Sequence, residues 1–92
     1  MDSRALVVYL EKPLHEYSAA QVSAKEVVLA GLSWPTDYWP TLAVSWLEQG
    51  VPLDAEIVRV LENIAEKKNF PQKLRHKAFA LSRQWSRENG AA

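Results

Sequence analysis

The chain contains no cysteine, so neither a disulfide nor a thiolate metal site can staple it. Long apolar runs are missing too. The longest, Ala5 to Leu10 and Val27 to Leu32, fall far short of the ~20 residues that cross a bilayer. The opening "MDSRALVVYLEKP" places only Arg4 before a short apolar run, with no small-residue cleavage site after it, and makes a poor signal peptide. The lack of cysteine fits a reducing compartment. These absences lead to the expectation of a soluble cytoplasmic protein with no membrane segment.

Chemical signatures are equally scarce. There is no G-x-S-x-G, P-loop or G-x-G-x-x-G pattern. His15 and His76 stand in unrelated contexts, and neither has a His or carboxylate at metal-ligand spacing. Glu62 and Glu66 share a face at i, i+4, an arrangement that usually means two solvated carboxylates. The expectation is a protein that is not an enzyme, with no catalytic residue, metal or cofactor.

What is present is apolar and aromatic. Of 92 residues, 48% are hydrophobic, including four Trp, three Tyr and two Phe. This length makes one domain over residues 1–92, held by apolar packing alone, with the last few residues frayed. Net charge is zero but uneven. Residues 1–66 carry four basic and ten acidic side chains, whereas residues 67–92 carry seven basic and one acidic. Such a dipole docks within the chain or offers two faces to partners, self-association included.

Turn residues divide the chain. Pro13 closes "ALVVYL", a continuous apolar run for which the absence of a partner strand favours helix. Ser18 and Gln21 form a capping box for a helix from Ala19 to Ala30, with Gly31 at its C′ position. Thr36 or Asp37 caps the next helix, with Pro40 in its first turn and Gly50 at its end. Asp54 caps another. Pro71 opens a last helix running to about Glu88. The fold class expected is all-α, a compact domain of four to five short antiparallel helices.

Periodicity assigns the faces. Trp39, Leu42, Ala43, Trp46 and Leu47 share one side of the third helix. Ile57, Val58, Val60, Leu61, Ile64 and Ala65 cover a broad arc of the fourth, as suits a helix with two neighbours. In the last helix, Leu74, Ala78, Leu81 and Trp85 form a narrow stripe that should be buried. Lys73, His76, Arg83 and Arg87 then lie opposite it and should be exposed, with Arg75 and Lys77 on its flanks.

That cationic face is the principal candidate site. It reads first as a solvated face and, for a partner, as one that meets an acidic protein surface. The alternative partner is nucleic acid, with Lys and Arg lying along phosphates. A helix-turn-helix does not fit, because Arg75 stands where that motif needs an apolar residue. Phe79 lies off the stripe, beside Arg75 and Arg83. It is expected to make a second packing contact, and otherwise to anchor a partner. Trp34 and Tyr38, in the bend "SWPTDYWP", either staple that connector to the helices or form an exposed aromatic patch.

From residue 38 onward the chain resembles HEAT-type α-helical hairpins. "YWPTLAVSWLEQG" is similar to a first helix with an early proline. "PLDAEIVRVLENIAEKKN" is similar to its paired second helix, and "FPQKLRHKAFALSRQW" to the next opening helix, with Arg75 near a commonly basic position. Trp39-Pro40 and Phe70-Pro71 stand 31 residues apart, as a short repeat would place them. The resemblance implies a protein-binding scaffold rather than an enzyme.

Overall fold

The computed structural model describes residues 3–17 and 22–89. All regular structure among them is helical: α1 Ser3–Val7, α2 Ala24–Leu32, α3 Tyr38–Gln49, α4 Ala55–Glu66 and α5 Gln72–Glu88. Two 3-10 turns, Val8–Glu11 and Leu14–Glu16, follow α1. The chain forms two compact units, Met1–Pro52 and Leu53–Ala92.

In the first unit, the run expected to be helical is so, but it tightens from α-helix to 3-10 turn at Val8. Pro13, which has no N–H to continue the ladder, follows the end of that turn. Helix α2 starts later than the sequence implied. Ser18 and Gln21 lie outside the described residues, and Ser23 is the cap. Its backbone is extended, and its hydroxyl accepts the Glu26 N–H at 3.2 Å. Ser23 and Glu26 have the serine-to-glutamate spacing of a helix start.

Gly31 is not a C′ residue. It lies inside α2, and Ser33 ends the helix. A Cβ at position 31 would collide with Leu10 Cδ1 and press on Ala43 Cβ at 3.1 Å and Trp39 O at 3.3 Å. The glycine therefore allows α2, α3 and the first 3-10 turn to approach closely. At the end of α3, Gly50 does adopt the expected special conformation, with φ 134°. Val51 N–H there reaches back to Trp46 O at 3.3 Å, closing the helix in the manner of a Schellman turn.

Helix α3 buries Pro40, Ala43, Val44, Trp46 and Leu47. Trp39 and Leu42, expected on the same face, are half-buried at its edge. Asp37 occupies the cap position without a side-chain bond, and Thr41 Oγ1 donates to Asp37 O at 2.7 Å instead. The Trp46 ring is 1% exposed, and its Nε1–H donates to Lys12 O at 2.9 Å. Leu14 N–H donates to Gln49 Oε1 at 3.0 Å, so α3 holds the chain at two points, once between the two 3-10 turns and once at the start of the second.

In the second unit, Asp54 Oδ1 accepts the Ile57 N–H at 2.9 Å and caps α4 as expected. Ile57, Val58, Leu61 and Ile64 are buried, while Arg59, Glu62, Asn63 and Glu66 are exposed. Val60 and Ala65 lie between. Residues 67–71 join α4 to α5, too short a connector for packed neighbours to run any way but antiparallel. Phe70 is buried there, with Lys67 Nζ 5.2 Å from its ring centre. Pro71 stands one residue before the helix, at the cap position.

The buried line of α5 differs from the expected stripe. Leu74, Ala78 and Ser82 are buried, whereas Leu81 and Trp85 are half-buried. Ala78 and Ser82 are small, so the helix seats closest along them and the bulkier pair stands at the margin. Ser82 tolerates burial because its hydroxyl donates to Phe79 O, one turn back, at 2.9 Å.

Trp46→Ala should lower stability by ~3–5 kcal/mol and Leu61→Ala by ~2–5 kcal/mol, large fractions of a small domain's total. Thermal melting monitored by circular dichroism checks this. A Trp46→Ala protein that melts within a degree or two of the parent would refute the inward orientation of α3.

Candidate interaction surface on the last helix

Helix α5 is long enough to present a full outward face. Lys73, His76, Lys77, Arg83 and Arg87 are all exposed, at spacings that bring them to one side of a 3.6-residue helix. Arg87 lies in the last turn, where a cation also suits the helix dipole. Gln72 Nε2 stands 3.5 Å from His76 Nε2. Arg75 does not join this face. It is half-buried, and its Nε–H donates to Ala65 O in the last turn of α4 at 3.3 Å. That carbonyl belongs to a helix end lacking intrahelical donors, so Arg75 ties the hairpin together.

Phe79 does not make the packing contact expected of it. It is 53% exposed, and the Arg83 guanidinium lies over its ring, 5.6 Å from the centroid. The pair sits at i, i+4, the spacing at which helical side chains meet, and the geometry is that of a cation on an aromatic face.

Beside it, α4 and α5 enclose a solvent-open groove of about 600 Å³. Arg59, Glu62, Asn63, Ala65 and Glu66 line it from α4, and Phe79, Ser82, Arg83 and Ser86 from α5. Glu62 and Glu66 thus lie along the same groove as two arginines. Within the groove the charges offset one another, while the outward face of α5 remains cationic. Periodicity placed Glu62 and Glu66 on a solvated face but held no sign that they would flank Phe79. That juxtaposition depends on how α4 and α5 are rotated against each other.

Trp34 and Tyr38 belong to the first unit and divide between the two roles considered. Trp34 is half-buried, edge-on to Trp39 with ring centres 6.4 Å apart, and staples the connector. Tyr38 also packs edge-on against Trp39, at 4.8 Å, but is 54% exposed, and its hydroxyl donates to Glu11 Oε2 at 2.8 Å. That hydrogen bond, helped by desolvation and by the carboxylate's charge, raises the Tyr38 pKa above its ordinary value. Tyr17 is raised as well, chiefly by burial. Its hydroxyl donates to Val22 O, and its ring leans on Trp46.

Among the described residues no group of three His, Asp or Glu side chains is placed to hold a metal ion. No helix among them is long and apolar enough to cross a membrane. No protein-family model, curated protein or solved structure matches the chain.

A raised tyrosine pKa favours the folded state while the phenol is protonated, and the contribution is lost as pH rises through the folded-state value. Tyr38 should therefore stabilise the fold below about pH 10 and cease to do so above its own raised pKa. In an ultraviolet phenolate titration, Tyr38→Phe should remove one late-ionising tyrosine and leave that of Tyr17. Glu11→Gln should bring Tyr38 back towards the ordinary range. An unchanged titration in Glu11→Gln would show that the hydrogen bond does not form.

Proposed function

We propose that the chain is a small protein-interaction module without catalytic activity, whose α5 face docks against an acidic surface of another protein. The observation that carries this reading is Phe79, a large aromatic side chain left 53% exposed beside a row of cations. An exposed aromatic capped by an arginine contributes little to the core, whereas aromatics and arginines dominate binding hot spots. The cations around it suit a partner bearing carboxylates. A nucleic-acid partner is the less favoured alternative, because residues 1–66 carry ten acidic against four basic side chains, which opposes a long polyanion lying across a broad face.

The test uses a labelled acidic peptide carrying one large apolar residue, beside short duplex and single-stranded DNA, each at low and moderate salt. Peptide binding is expected, weakened about 30-fold by Phe79→Ala, the ~2 kcal/mol of a hot-spot residue. The triple variant Lys73→Gln, Arg83→Gln, Arg87→Gln should lose binding with helical circular dichroism unchanged, since exposed charges add little stability. DNA binding with a steep salt slope, indifferent to Phe79→Ala, would replace the protein-docking reading with the nucleic-acid one.

A further inference from the structure

Of the four large apolar side chains left exposed among the described residues, only Phe79 belongs to the α5 surface. The others, Val8 at 51%, Tyr9 at 42% and Tyr38 at 54%, are all in the first unit. In a 3-10 turn, side chains three residues apart eclipse, so Val8 and Glu11 share one edge of the Val8–Glu11 turn. Glu11 in turn accepts the Tyr38 hydroxyl. Glu11 thus stands on Val8's edge of the turn and also bonds Tyr38, and all three side chains are exposed, two apolar or aromatic ones on either side of a carboxylate. On α5 the corresponding patch is Phe79 with a guanidinium over it.

The charge of the two units has the same complementarity. Residues 1–52 carry three basic and six acidic side chains, and residues 53–92 carry eight basic and five acidic. An unrelated acidic partner would account for α5 but leave the first patch unused. We propose that the Val8, Glu11 and Tyr38 patch of one copy docks on the Phe79 and Arg83 surface of a second copy, so that the chain self-associates through two unlike surfaces. The inference rests on the reading of α5 as a docking face and supplies an occupant for it. Glu11 meets the cations, and Val8 and Tyr38 cover Phe79. Both patches are small, which puts the contact among weak, transient interfaces below ~1,200 Å² and makes it sensitive to screening.

Sedimentation velocity over a concentration series compares the wild type, Glu11→Lys, Arg83→Glu and their equimolar mixture. The wild type is expected to associate at low salt and to dissociate as salt passes ~0.15 M, where the Debye length is about 8 Å. Each variant alone should remain monomeric, because one of its two surfaces is spoiled. The mixture should associate again, since Glu11→Lys keeps an intact α5 and Arg83→Glu keeps an intact first patch. Arg87→Glu replaces Arg83→Glu if circular dichroism shows the latter to be misfolded. A wild type that is monomeric at every salt concentration, variants that associate like the wild type, or a mixture that stays monomeric each overturns the inference. Acidic-peptide binding separates the two readings. If a monomeric wild type still binds the peptide, self-association falls and the docking face stands; if it does not, both fall.

Discussion

Burial of the Trp46 ring organises the first unit. An indole with 1% of its surface exposed must place its one N–H on an acceptor, because an unpaired buried donor costs about 1–3 kcal/mol. The acceptor is the Lys12 carbonyl, in a stretch of chain that has no helix of its own. One bond therefore fixes the Trp46 rotamer and also the path of the chain after the first 3-10 turn. Gln49, nearly one turn further along α3, holds Leu14 in the same way, and Tyr17 packs its ring on Trp46, 5.2 Å between centres. The close approach at Gly31 complements this arrangement, since a methyl group there would push Leu10 away from α2 and α3.

The second unit has a different division of labour. Helix α4 supplies large apolar side chains, and α5 answers with Leu74 and the small Ala78 and Ser82. Where α5 is seated on Ala78 and Ser82, the bulkier Leu81 and Trp85 stand beside that line and are only half-buried. The basic side chains of α5 consequently differ in role. Arg75 is tied to the end of α4, Arg83 lies across Phe79, and Lys73, His76 and Arg87 face solvent. What reads in sequence as one cluster of positive charge is a structural tie, an aromatic cap and a set of solvent-facing cations.

By itself, the sequence determined that the chain is helical and where most helices stop. Asp54, Gly50 and the two prolines at positions 40 and 71 act on their own backbone within a turn or so, through a local hydrogen bond, a positive φ or a missing N–H. The exposure of Arg83 and Arg87 followed likewise from helical spacing alone. The start of α2 was legible in principle, because Ser23 and Glu26 have the spacing of a helix start. Tertiary structure decided what depended on a second element. Gly31 could serve as a helix terminator or as a contact point until Leu10 and Ala43 came against it. Phe79 could be core or surface until α4 and α5 had settled their mutual rotation. Tyr38 found Glu11, 27 residues away in sequence, and no local pattern encodes such a pairing. A cap or a turn is settled by a few adjacent dihedral angles, whereas a side chain's neighbours across helices are settled only by the packing of whole faces.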